Sequence, residues 1–265
     1  MPDEQVEMVA FGNRGDAIRV VPVATVDEIG MIHDKAIAAA GPPAQLTYRG
    51  GTVLGAVEVV TVFWGKGWTL AANSPMPAKV NAFFDMILTS ALIDQLAEYS
   101  TPTTAIGHGK RTATVTVTNP NVKLTVSDGE IQHFLQLQIS AHAVPAPTIN
   151  TLYFIYLPPG VAVTQGGGRS CQVFCGYHSD VAGSIFYAVM PYPSCHGCAG
   201  SLAPFDALTS TSSHELCEAI TDPVPGQGWY DDHYGEIGDI CAWKTKVVAG
   251  YTVQLEWSNR AGACG

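Results

Sequence analysis

Apolar positions along this chain alternate between two spacings, and each spacing predicts an element. Val57 to Trp64 is a run of β-branched and aromatic residues, which predicts a buried strand. From Pro77 to Tyr99, Val80, Phe83, Phe84, Ile87, Leu88, Leu92 and Leu96 recur at helical spacing, so one amphipathic core helix is expected. Arg111 to Thr118 alternates as a strand. Asp128 to His142 turns Ile131, Phe134, Leu135, Leu137 and Ile139 inward on a second helix, capped by Ser127 or Asp128. Thr151 to Leu157 is a third strand, Ser184 to Met190 a fourth, and Tyr251 to Trp257 a last one. A helix over Phe205 to Thr221 starts at the cap candidate Asp206 and stops before Pro223. This succession predicts an α+β domain with a mixed sheet over residues 46–265. Residues 1–45 hold a weak helix candidate, Val26 to Ala40, and read as an N-terminal arm or pro-segment.

Chemistry concentrates between Ser213 and Cys241, where an imidazole and several carboxylates interrupt an otherwise apolar chain. On the expected helix, His214 and Glu218 lie one turn apart on one face, while Leu216 and Ile220 point into the core. Glu215 sits beside that pair without aiming at the same point, so it is free to hold a water. This is the division of labour in His-Glu-x-x-His zinc peptidases, two ligands a turn apart with the intervening Glu as general base. Glu218 stands where the second His should be, and carboxylate oxygen is an accepted zinc ligand. A third ligand must come from elsewhere; Glu236, eighteen positions beyond Glu218, is the leading candidate, with His233 and Asp239 as alternatives. Zinc is the expected metal, because His214 is a poor ligand for calcium. One imidazole and two carboxylates neutralise a dication, so a bound water is expected to be less acidified than beside two imidazoles.

Composition narrows the partners. The 265 residues carry a net charge of −10 and thirteen scattered Lys and Arg with no basic stripe, which argues against nucleic acid and anionic membranes. No apolar run reaches the length of a spanning helix, and the acidic N-terminus does not read as a secretory signal. A peptide or protein substrate and a monomeric state are expected. Seven cysteines, five of them between Cys171 and Cys217, favour disulfides and an oxidising compartment over a four-thiolate zinc site built from Cys171, Cys175, Cys195 and Cys198. A bridge from Cys217 to Cys241 is expected to pin the helix to the loop that follows. His178, after two cysteines and a glycine, reads as a structural histidine holding a loop, with stabilisation of an oxyanion as its alternative role.

Two resemblances extend this reading. The run from His214 to Asp222, with Gly235-Glu236-Ile237-Gly238-Asp239 beyond it, resembles the active-site segment of thermolysin-like gluzincins. That resemblance implies His214, Glu218 and Glu236 as zinc ligands and Glu215 as base. It also implies that Asp239 supports His214, that Asp222 is a supporting carboxylate and that Tyr230 steadies a tetrahedral intermediate. A zincin-like core follows as the expected fold, with the Ser184 to Met190 strand as the edge to which a peptide adds. More widely, Tyr48-Arg49-Gly50-Gly51, Phe63-Trp64-Gly65-Lys66, Cys171-x-x-x-Cys175-Gly176-Tyr177-His178, Cys195-His196-Gly197-Cys198 and the His214-Glu215-Leu216 helix resemble the Exordium, or phosphate-induced, secreted proteins. Membership there implies an extracellular, disulfide-bonded protein and leaves its activity open. The metal motif and the gluzincin resemblance imply a secreted zinc-dependent endopeptidase, and a non-catalytic secreted binding module on the same scaffold is the alternative.

Overall fold

Six strands form one mixed sheet in the computed structural model, which describes residues 42–265 and short stretches at 10–11, 17–18 and 21–23. In chain order they are β1 (Val21–Pro22), β2 (Glu58–Trp64), β3 (Lys110–Val117), β4 (Thr151–Tyr156), β5 (Phe174–Val181) and β6 (Ile185–Met190). In space they run β1, β5, β6, β4, β2, β3. β3, β2, β4 and β6 are mutually parallel, and β5 is antiparallel to both of its neighbours. β4 is buried at every position, as a central parallel strand covered on both faces must be, whereas β3 at the edge alternates exposed and half-buried residues.

Helices cover both faces. On one, α1 (Met76–Ile87) and α3 (Pro204–Thr221) share a core with Val59, Phe63, Phe154, Tyr156, Ala188 and Met190. On the other, α2 (Asp128–Ser140) buries Ile131, Phe134 and Leu135 against Val60, Val62, Tyr153 and Tyr187. Each fully buried side chain of this kind contributes roughly 1.5–3 kcal/mol. α2 begins in a capping box: Ser127 Oγ accepts from the Glu130 amide, and Glu130 Oε2 accepts from the Ser127 amide.

Several expectations are corrected. The helix over 77–99 is two helices, because Leu88 closes α1 and Ser90 caps a short helix at Ala91–Leu96, its Oγ accepting from the Leu92 amide. Asp206 is not the cap of α3; Ala203 is, with Pro204 in the first turn, where a missing N–H costs nothing. The last expected strand ends at Gln254, and Trp257–Ser258 pairs separately with Ala263–Cys264. β6 is no edge, since β5 and β4 occupy its two sides; the edge belongs to β5, with β1 laid along part of it. Cys217 forms no bridge to Cys241. The disulfides are Cys171–Cys195, Cys175–Cys198 and Cys241–Cys264, and Cys217 is a buried free thiol. These pairings also replace the four-thiolate alternative, and they are compatible with an extracellular protein. The Val26 to Ala40 helix candidate lies outside the described residues.

Candidate metal centre

α3 is enclosed on all sides: nearly every residue from Ala207 to Thr221 is buried. One side lies on β5 and β6. The other is clasped by a hairpin, β7 (Thr245–Val248) and β8 (Tyr251–Gln254). Its run of Ser and Thr makes that burial tolerable, because the hydroxyls find partners across the packing. Thr209 Oγ1 donates to the Thr252 carbonyl at 2.7 Å, Ser213 Oγ accepts from the Gln254 amide at 2.9 Å, and Ser212 meets the Tyr156 hydroxyl at 2.8 Å.

Near its end the helix presents His214, Glu215 and Glu218, each no more than 2 % exposed. β5 supplies the fourth member. Strand alternation sends Tyr177 to the α2 face and His178 toward α3, where it is fully buried. His178 Nδ1 lies 3.2 Å from Glu215 Oε2 and 3.5 Å from Glu218 Oε2. Its Nε2 lies 3.1 Å from the Asp222 carbonyl and 3.5 Å from Glu236 Oε1. His214 Nε2 approaches Glu218 Oε1 at 2.9 Å, and that same oxygen accepts from the Asp239 amide at 3.2 Å.

The residues therefore form two overlapping groups with ligand atoms close enough to share a cation: His178, Glu215 and Glu218, and His214, Glu218 and Asp239. Glu218 belongs to both. Glu236, expected with His214, has its carboxylate against the far side of the His178 ring, while its amide donates to Asp239 Oδ2 at 3.1 Å. His233 is exposed on the 231–234 turn. Asp222 is buried and uses its carboxylate to accept the Gly226, Gln227 and Gly228 amides, which fixes the loop after the helix. Tyr230 sits half-buried on the short strand Trp229–Tyr230, its ring 5.5 Å from the Arg49 guanidinium carbon.

Charge is poorly compensated here. Burial pushes the Glu236 carboxyl well above its ordinary range, and His178 offsets only part of that. Burial also raises Glu215, against the pull of His178 and His214. Glu218 is the exception: burial works against its ionisation, yet the two imidazoles outweigh it and hold the carboxyl at about 2. Burial opposes protonation of His178, but Glu236, Glu215 and Glu218 together leave it well above its ordinary value. Burial lifts Asp222 to about 6 despite its three amide donors. Four buried atoms in the cluster, Glu215 Oε1, both Glu236 oxygens and His214 Nε2, have no hydrogen-bond partner among the described residues. Each such group costs about 1–3 kcal/mol, and a divalent cation among them removes part of that cost. The donor set, imidazole nitrogen with carboxylate oxygen, suits zinc.

Searches against family models, curated proteins and solved structures find no match to this chain. The site is thus described from its own residues. Three of them were missed as contributors: His178, Gln254 and Gly238. Gln254 Nε2 lies 2.7 Å from His214 Nδ1 and donates to the Gly238 carbonyl at 2.8 Å. At Gly238 a Cβ would stand 2.6 Å from His214 Nδ1 and 2.9 Å from Glu218 Oε1, so glycine is what lets the loop close on the helix. The spacing of two glycines around Glu236-Ile237 was the available signal for that close approach.

Proposed function

We propose that the protein is a secreted, metal-dependent peptidase with a zincin-like arrangement of sheet and helix. The carrying observation is the buried cluster of two imidazoles and four carboxylates, with acceptor atoms that no protein group satisfies. A bound zinc ion supplies a Lewis acid that acidifies water and polarises a carbonyl. His214, Glu218 and Asp239, with His178 across from them, are the residues that would hold it.

Glu215 is the proton acceptor. Its Oε2 is held by His178 and its Oε1 is left without a protein partner. Burial raises its carboxyl above its ordinary value, against the pull of His178 and His214. Asp222 holds the 222–228 loop and, through its carbonyl, orients the His178 ring. The antiparallel edge strand β5 offers main-chain groups to an extended peptide beyond Gly176, where no strand pairs with it among the described residues.

The near-complete burial of His178, His214, Glu215, Glu218 and Glu236 favours a second reading, a structural cation in a non-catalytic secreted module. Glu215→Gln separates the two. The peptidase reading expects zinc retained, measured by elemental analysis, and casein cleavage reduced by about 10²–10⁴. Zinc in both proteins and cleavage by neither establishes the structural reading. Zinc in neither ends both.

A further inference from the structure

Resting on the reading that this cluster holds zinc, we propose that it holds two divalent cations side by side, bridged by the carboxylate of Glu218. The first takes His214, Glu218 and Asp239, as above. The second is held by His178, Glu215 and the other oxygen of Glu218.

The two oxygens of Glu218 face different histidines. Oε1 lies 2.9 Å from His214 Nε2 and accepts the Asp239 amide at 3.2 Å, while Oε2 lies 3.5 Å from His178 Nδ1. In each triad the residues offer ligand atoms within 4.8 Å of one another. Two ligands of one tetrahedral zinc, each roughly 2.1 Å from the ion, stand roughly 3.4 Å apart. The separations from His178 Nδ1 to Glu215 Oε2 (3.2 Å) and Glu218 Oε2 (3.5 Å), and from His214 Nε2 to Glu218 Oε1 (2.9 Å), lie around that value. His214 Nε2 makes no hydrogen bond to Glu218 Oε1 despite their closeness, so the nitrogen is aimed beside the oxygen, as two ligands converging on a third point are. The other nitrogen of each ring rests on a group outside both triads, His178 Nε2 on the Asp222 carbonyl and His214 Nδ1 on the Gln254 amide, which fixes both ring planes.

Charge decides between one cation and two. Glu215, Glu218, Glu236 and Asp239 bring four carboxylates together, and the first three are no more than 2 % exposed. Among the described residues, the ion-pair partners of those three are the two imidazoles, and no Lys or Arg reaches them. A single dication leaves two negative charges without compensation in a buried site, which is strongly unfavourable; two dications with neutral imidazoles balance all four. Glu236 serves that balance without ligating, because its Oε1 stands 3.5 Å from His178 Nε2, on the side of the ring away from Glu215 and Glu218. The second cation uses Glu215 Oε2, and Oε1 stays free for the proton transfer assigned above.

Counting bound ions tests this on the untagged, full-length wild-type protein. After equilibration with excess Zn²⁺ and removal of unbound metal, elemental analysis is expected to find two zinc ions per chain. With Co²⁺ in their place, two ions about 3.5–4 Å apart, the spacing of two-metal sites, couple magnetically. The EPR intensity per cobalt is therefore expected to fall several-fold below that of a mononuclear Co²⁺ standard. One ion per chain overturns the inference and leaves the peptidase reading standing. Two ions with the full uncoupled signal also overturn it, because the second then lies elsewhere on the protein. No bound ion ends both readings. His178→Ala, which leaves the first triad intact, is expected to hold one zinc; two zinc ions in the folded variant refute the second triad.

Discussion

Gly238→Ala separates steric fit from backbone freedom at the candidate centre, because the two effects have opposite signs. Gly238 has φ −78° and ψ −37°, a conformation any L-residue adopts, so an alanine there is unstrained. Taken alone, the loss of glycine's freedom in the unfolded chain stabilises by about 0.4–1 kcal/mol. Against this, the added methyl stands 2.6 Å from His214 Nδ1, 2.8 Å from Cε1 and 2.9 Å from Glu218 Oε1, all below the 3.4 Å of ordinary contact. The ring is held between Gln254 and Glu218 and the helix beneath it is buried throughout, so the overlap is relieved by displacing the ring and the loop together. Overpacking of this kind costs about 1–3 kcal/mol. A net destabilisation of about 1–2 kcal/mol follows. Urea unfolding of both proteins at fixed pH measures it as a lower midpoint with an unchanged m-value. Gly129→Ala is the matched control: it lies in the first turn of α2, nothing stands within 4 Å of its added Cβ, and the mutant is expected to be stabilised. If Gly238→Ala is stabilised as the control is, the close approach of this loop to His214 is not real, and the account of His214 fails with it.

Three further outcomes are expected. Thiol titration should find no reactive thiol in the native protein and one in denaturant, because Cys217 is fully buried and the other six cysteines are paired; two or more after denaturation would refute the pairing. Glu256→Gln should become increasingly stabilising relative to wild type as pH rises. Burial holds the Glu256 carboxyl well above its ordinary 4.5. Since the folded value is the raised one, wild type keeps its full stability below pH 4.5 and loses about 1.4 kcal/mol per pH unit as pH climbs toward that value. Parallel pH–stability curves for the two proteins would contradict this. Finally, Val21–Pro22 lies antiparallel along β5, and the Val23 amide donates to the Val173 carbonyl at 2.9 Å. Removing residues 1–23 frees this edge and should raise the rate of peptide cleavage several-fold, about 1 kcal/mol on the roughly 1.4 kcal/mol-per-decade scale. An unchanged or lower rate in a folded truncation would exclude the Phe174 to Gly176 stretch from the peptide's seat.

Most of the scaffold was legible in the residue pattern. β2, β4, β6 and α2 fall where apolar periodicity places them, since their burial is carried by Val, Ile, Leu and aromatic residues, and α3 falls where Leu216, Ile220 and the stop at Pro223 place it. β5 was not legible, for a specific reason. Its register shifts between Phe174 and Gly176, so Phe174 and Tyr177 both reach the α2 face and the expected alternation is broken. On the face toward α3 it carries Gly176 and His178, one with no side chain and one polar, which a hydrophobic pattern cannot register. The site strand was thereby read as a loop, and its histidine as a loop histidine.

Local spacing along one helix is enough to put His214 and Glu218 on a common face and to stop the helix at Asp222, because those relations follow from 3.6 residues per turn and from Pro223. It says nothing about partners that arrive from other elements. The approach of His178 from a strand 36 residues upstream, the turning of Glu236 away from His214 and the pairing of Cys241 with Cys264 instead of Cys217 all depend on how the sheet, helix and hairpin stack. The chemistry of each side chain was present in the chain; its donor or acceptor state was set by the neighbour that packing brought to it, as Gln254 and the Asp222 carbonyl do for the two imidazoles.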